Sequence, residues 1–140
     1  MFEYLRGKVV SVSLPSADEA HIVLDVYGHA YKILVTPAFS AKHRDNPVVT
    51  IGDAGTTLLI HHKKTDTTDQ LFGFESEDER YLFRDLMDAD GVGPKTALRV
   101  LSLGSVANIR QSIRMQSVPF LKRAVGEKTA QKIILAFAKK

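Results

Sequence analysis

No cysteine occurs among the 140 residues, which excludes a disulfide framework, a thiolate nucleophile and every cysteine-ligated zinc or iron–sulfur site, and points to a reducing compartment. Long apolar runs are missing too: no stretch approaches the ~20 apolar residues that a membrane-spanning helix requires. The opening Met1-Phe2-Glu3-Tyr4-Leu5-Arg6-Gly7 carries charges where a signal peptide needs an apolar core. The expectation is a cytoplasmic protein with no membrane partner. What is present, 44% hydrophobic and 25% charged residues, is the composition of a soluble globular chain of one or two small domains.

The net charge of +3 hides a strong asymmetry. Residues 1–74 hold seven Lys/Arg against eight Asp/Glu, residues 75–90 hold two against seven, and residues 91–140 hold ten against one. A nearly neutral half is followed by an acidic, helix-sized block and then by a basic third with a balance of +9. A one-sided basic segment of this kind is the footprint of a surface that neutralises phosphates.

The first 74 residues carry strand signals. Phe2 to Leu14 alternates and is rich in valine. His21 to Val26 and Ala30 to Thr36 are β-branched runs joined through Tyr27-Gly28-His29, which reads as a hairpin with glycine available for positive φ. Pro37 to Asn46 suits a connector with a short helix. Pro47 to Ile51, Thr56 to His62 and Gln70 to Phe74 supply further strands. Short strands at this spacing argue for a small closed barrel or sandwich.

From Glu75 the period changes. Ser76-Glu77-Asp78-Glu79 is a capping-box pattern with acids at the positive end of the helix dipole, and Tyr81, Leu82, Phe83, Leu86 and Met87 recur at helical spacing as a core stripe. Further helices are expected at Pro94 to Leu103, Ser105 to Met115, Ser117 to about Arg123 and Glu127 to Ala138, with Gly104 suited to a C-cap. The chain is thus read as all-β plus all-α, with residues 1–74 a barrel and residues 75–140 helical.

The most specific local pattern is Gly91-Val92-Gly93-Pro94-Lys95-Thr96-Ala97 between two amphipathic segments. It is a helix-hairpin-helix pattern. Glycines let the backbone turn and approach a phosphate without a Cβ in the way, Val92 plugs the turn, and Ala97 permits close helix packing. Free N–H groups at the start of the second helix form an anion site, to which Lys95 and Thr96 add a charge and a hydroxyl. Thirty-three residues later Ala124-Val125-Gly126-Glu127-Lys128-Thr129-Ala130 repeats the pattern. Val125, Gly126, Lys128 and Thr129 match Val92, Gly93, Lys95 and Thr96, while Ala124 replaces the first glycine. If that position needs positive φ, alanine costs on the order of 1 kcal/mol, so the copy is either strained or differently turned. Two such hairpins can grip phosphates on both sides of a minor groove without reading base edges.

Other readings are weaker. His61 and His62 are neighbours on a strand and point to opposite faces, which suits structural histidines better than a metal site, and no metal or cofactor is expected. Gly93-Pro94-Lys95-Thr96 lacks the glycine spacing of a phosphate loop. A hairpin-containing repair enzyme, the alternative together with an accessory duplex-binding protein, needs a catalytic Asp or Lys in a pocket for a flipped base. After Gly126 the only acid is Glu127, and no catalytic residue is assigned. A single-strand binder wants exposed aromatics among basic residues, and the charge-balanced barrel half offers few candidates.

The chain closely resembles the RuvA family of Holliday-junction-binding subunits of the bacterial RuvAB branch-migration complex. The resemblance rests on Leu5-Arg6-Gly7, Leu71-Phe72-Gly73-Phe74, Glu79-Arg80-Tyr81-Leu82-Phe83-Arg84-Asp85-Leu86, the hairpin at Gly91 to Ala97 and the one at Lys128-Thr129-Ala130. It implies an OB-type barrel followed by a tandem helix-hairpin-helix domain, and a homotetramer, or an octamer on DNA, that holds an open four-way junction. It also implies a non-catalytic role beside the ATP-driven RuvB motor and the RuvC resolvase, in recombination, DNA repair and the SOS response. Acidic pins are implied in the loop before Leu71, where Asp66 aligns with the family's first acid, Thr67 with its second, and Asp69 is a substitute. The family's third, RuvB-contacting domain would begin beyond Lys140, so junction recognition is expected here without motor coupling.

Overall fold

A computed structural model of the chain describes residues 3–13, 20–44, 56–67 and 69–139. The chain forms two compact units, residues 1–80 and 81–140. The expected strand Pro47 to Ile51 and the turn Gly52 to Gly55 lie outside the described residues.

The first unit is a closed five-stranded barrel in the order β1-β2-β3-β5-β4. Strands β1 (Tyr4–Val12), β2 (His21–Val26) and β3 (His29–Leu34) form an antiparallel meander, and helix α1 (Pro37–Arg44) follows. Strands β4 (Thr56–Lys64) and β5 (Asp69–Phe74) form a second hairpin. β5 lies parallel to β3, with Ile33 beside Leu71, and β4 closes the barrel antiparallel to β1, with Leu5 beside Leu58. This is the OB-type arrangement, in which closure removes the free edges that an open sheet exposes.

Alternation fills the interior. Leu5, Val9, Ile22, Leu24, Ile33, Leu58 and Ile60 point inward and are buried, with Val35 and Phe39 in the same core. Gly73 is required by this packing, since a Cβ there would stand 2.7 Å from the Ile33 Cγ2 methyl. α1 starts where Thr36 Oγ1 accepts the Phe39 N–H at 3.0 Å. Its buried Ser40 hydroxyl lies 3.1 Å from that of Ser13.

The second unit is helical. Helix α2 (Glu77–Met87) spans the boundary between the units, and α3 (Pro94–Leu101), α4 (Val106–Arg114), α5 (Val118–Leu121) and α6 (Glu127–Ala138) follow. The Ser76 hydroxyl accepts the Glu79 N–H at 3.3 Å, as the capping pattern requires. Ser105 caps α4 in the same way, accepting from Asn108 at 3.2 Å. α6 packs against α4 and α5. Asp85 on α2 is joined to Arg110 on α4 at 3.1 Å.

Two local expectations change. α3 ends at Leu101 with Ser102 as an ordinary right-handed cap, so Gly104 is not the C-cap. The left-handed residue after a helix is instead Gln116, at φ 57°, just beyond α4.

Candidate nucleic-acid interface

The two hairpins present matching helix N-termini. Gly93 caps α3 and Gly126 caps α6, both with extended backbone and neither with a side-chain cap. The Ala97 N–H reaches the Gly93 carbonyl at 3.0 Å, and the Ala130 N–H reaches the Gly126 carbonyl at 2.9 Å. The amides before each alanine have no intrahelical acceptor, and the helix dipole adds partial positive charge at the same point. A proline at the first helical position of α3 costs nothing, because its missing N–H would have had no acceptor there.

Burial repeats with the sequence. Lys95 and Lys128 are exposed, Thr96 and Thr129 half-buried, Ala97 and Ala130 buried. Val92 is buried and Val125 half-buried, so each turn is anchored by its valine. A Cβ on Gly93 or Gly126 would meet no atom of the protein within 4 Å. Neither glycine is needed for internal packing or for positive φ. What their missing side chains leave open is access to the backbone from outside, the condition for a phosphate to reach helix N-terminal amides.

The first turn does need its leading glycine, since Gly91 has φ 80°. The second turn is made differently. Among the described residues only Tyr27 and Gln116 combine a side chain with positive φ, so Ala124 carries no such strain. Val125 donates to the Leu121 carbonyl at 3.0 Å, four residues back, whereas Val92 donates to Ala89, three back, at 3.2 Å. The alanine copy is a differently turned hairpin that delivers an equivalent helix start.

Two further basic residues lie beside the candidate site. One helical turn past Lys95 and Lys128 stand Arg99 and Lys132, both exposed. Arg99 Nη2 lies 3.4 Å from Thr96 Oγ1. Lys132 Nζ lies 3.7 Å from the place a Cβ on Gly91 would take, so a cation of the second hairpin sits against the turn of the first. The signal was legible in the 33-residue repeat, which pairs 99 with 132 as it pairs 95 with 128.

The loop acids belong to the other unit. Asp66 sits exposed in the bend between β4 and β5, where the Thr67 N–H reaches Thr65 Oγ1 at 3.4 Å. Asp69 opens β5 and bonds the His62 ring through Nε2. His61, on the opposite side of β4, stacks at a tilt on Phe72 with centroids 6.1 Å apart. Both histidines thus have partners within the barrel, and among the described residues no group of three metal-ligating side chains forms.

Arg80, which no local sequence pattern singles out, is the one charged side chain buried among the described residues, at 3% exposure. All five of its donors find oxygen. Nε and Nη2 meet Glu77 at 2.9 and 2.7 Å, Nη2 also meets Glu3 Oε1 at 2.5 Å, and Nη1 meets the backbone carbonyls of Glu3 and Ile60 at 3.0 and 3.1 Å. Burial alone would lower its pKa, but the hydrogen bonds and charges of Glu3 and Glu77 outweigh it and raise the value further.

Comparison with known proteins gives matches over both units. Residues 1–73 match the family described as RuvA N terminal domain, and residues 83–139 match the SAM-like helix-hairpin-helix tandem. Over 137 residues the chain is 31% identical to the Holliday junction branch migration complex subunit RuvA of Lactiplantibacillus plantarum, covering 96% of this chain and 61% of that protein. The RuvA of Lactobacillus johnsonii is 35% identical, with 96% and 64% covered, and that of Listeria monocytogenes serotype 4a is 31% identical, with 96% and 62% covered. The chain therefore spans about three fifths of the length of these curated relatives.

Proposed function

The chain belongs to the RuvA family, and on that premise we propose that it binds four-way DNA junctions by their backbone geometry and without sequence preference. The observation that carries the reading is the pair of uncapped helix N-termini at Gly93 and Gly126, each with an exposed lysine two residues on. In this reading residues 75–140 are the tandem hairpin domain. Lys95, Thr96 and the open amides of one hairpin, and Lys128, Thr129 and those of the other, hold phosphates, with Val92, Val125 and Gly91 shaping the turns. Because these groups meet phosphates only, they fix position and carry no base readout.

Residues 1–74 form the barrel domain, and Asp66 stands where negative charge repels strands at a junction centre. Asp69 serves that role less well, since its carboxylate is engaged with His62. The protein acts without catalysis of its own, as a homotetrameric scaffold for the RuvB motor and the RuvC resolvase. No residue described here is assigned to the RuvB contact.

The deciding experiment measures the mass of the protein with and without a synthetic four-way junction, alongside affinity for linear duplex of the same length. Four copies on one junction, with the junction preferred over duplex, is the expected result. Equal affinity for both DNA shapes would overturn the reading.

A further inference from the structure

The barrel carries an open groove of about 720 Å³ lined by Tyr4, Arg6, Lys8, Asp25, Tyr27 and Gly28, among others. It lies wholly within the first unit and uses none of the hairpin residues. Along β1 the inward residues Leu5 and Val9 are buried, while Tyr4, Arg6 and Lys8 alternate with them and face out. Successive outward positions on a strand are ~7 Å apart. Lys8 pairs in register with Asp25 of β2, and continuing that antiparallel register brings Arg6 level with Tyr27.

Tyr27 is placed at a cost. It is the first residue of a two-residue turn, with φ 52° at Tyr27 and 87° at Gly28. Such a turn wants Asn-Gly or Asp-Gly, and a bulky residue at positive φ is an outlier. The turn is also held without the tyrosine, since Asp25 Oδ1 accepts the Gly28 N–H at 2.8 Å. Yet Tyr27 is fully exposed, and Tyr4 is 60% exposed. Among the described residues no packing within the barrel offsets the strain or the exposed ring. Strain that the fold does not use is a pointer to function.

We infer that this groove binds unpaired nucleotides, the Tyr4 and Tyr27 rings stacking on bases while Arg6 and Lys8 meet the phosphates between them. Aromatic faces spaced along a basic track are what sequence-tolerant single-strand binding requires. The cations supply charge complementarity to the strand, and every base offers a ring face. The carboxylate of Asp25 also lines the groove, where it is held by the Gly28 amide and lies in register with Lys8. The barrel half is charge-balanced overall, but alternation on β1 and the Tyr27-Gly28 turn bring two tyrosines and two cations to one groove.

The test uses fluorescence anisotropy with two probes, a thymidine oligomer of about 15 nucleotides and an abasic oligomer with the same phosphates. The full chain should bind the thymidine oligomer at least about tenfold more tightly, because stacking contributes per base. Tyr4→Ala and Tyr27→Asn should each weaken thymidine binding about fivefold or more and leave duplex binding unchanged. Tyr27→Phe should retain it. Tyr27→Asn suits the turn, so its melting temperature should hold or rise, which separates lost stacking from lost fold.

In a Lys95→Ala/Lys128→Ala variant the preference for thymidine over abasic oligomer should persist, independent of the junction reading. Equal affinity for the two oligomers, or tyrosine variants that bind like the parent, would overturn the proposal. Loss of the preference in the lysine variant would assign the binding to the helical unit and also overturn it. So would a change of mass in solution for Tyr27→Asn, which would make the face a contact between copies.

Discussion

Gly93 and Gly126 take nearly the same backbone conformation, φ −96° and ψ 178° against φ −72° and ψ 166°, at the start of two helices 33 residues apart. Neither angle requires glycine, and a Cβ at either would meet nothing in the protein. Gly91, two residues before Gly93, has φ 80° and does require it. Substitutions at these three positions therefore test folding and the proposed binding separately.

Gly93→Ala and Gly126→Ala should unfold within about 1 kcal/mol of the parent, since alanine is only a poorer N-cap than glycine. Both should lose DNA affinity, because a Cβ stands where a phosphate approaches. Gly91→Ala should cost on the order of 1 kcal/mol or more of stability, from the left-handed backbone. Urea denaturation beside a binding titration distinguishes them; a Gly93→Ala protein that binds DNA like the parent would remove the backbone-access argument.

Lys95 and Lys128 should act as countable charges. The logarithm of affinity falls against the logarithm of salt concentration with a slope of roughly −0.9 per phosphate contact on duplex DNA. Each Lys→Ala change should make that slope shallower by about one contact, and Arg99→Ala and Lys132→Ala should do the same if the 33-residue repeat reflects two equivalent phosphate sites. A slope that stays put while affinity drops would mean that the residue shapes the hairpin and does not touch phosphate.

Much of this arrangement was legible in the sequence for identifiable reasons. The helix starting at Glu77 and the last helix, Glu127–Ala138, follow from Ser76 and from the pattern after Gly126, because caps and amphipathic spacing are local rules. The hairpin positions followed from a repeat that pairs residues one by one. Arg80 was hidden because its partners Glu3 and Ile60 are distant in sequence and join it only when the barrel closes. The His62–Asp69 bond was hidden because the β4–β5 register brings the two together. The turn at Ala124 was ambiguous because a choice between strain and a different hydrogen bond is made by the carbonyl at Leu121, which no spacing rule names.

Asp66 and Asp69 should behave differently although they lie three residues apart. Asp66→Asn touches an exposed bend and should leave stability within about 0.5 kcal/mol. If Asp66 repels strands at a junction centre, the same change should tighten junction binding. Asp69→Asn weakens a hydrogen bond to the His62 ring whose side chains are 61% exposed at Asp69 and 17% at His62. It should cost up to about 1 kcal/mol and alter junction affinity less. Junction titrations of both variants check the order; a stronger effect from Asp69 would exchange their roles.

Arg80 offers a test of how a buried charge is held. Its raised pKa keeps the guanidinium charged: the stability linked to its proton is complete below the ordinary arginine value and is lost only as pH climbs through the higher folded one. Through the neutral range the charge is therefore constant, and only its partners can be varied. Arg80→Met removes the charge, frees Glu3 and Glu77, whose carboxylates are already 71% and 48% exposed, and leaves the Glu3 and Ile60 carbonyls without this donor. That should cost about 1–3 kcal/mol, the cost of unmade buried hydrogen bonds. Glu3→Ala combined with Glu77→Ala leaves the cation buried against two carbonyls alone. That should cost about 3–5 kcal/mol, because an uncompensated buried charge is worse than none. The double carboxylate variant should therefore unfold at lower urea than Arg80→Met, and Arg80→Met placed on top of it should recover part of the loss. If the double variant proves the milder of the two, the backbone carbonyls and not the carboxylates hold Arg80 in place.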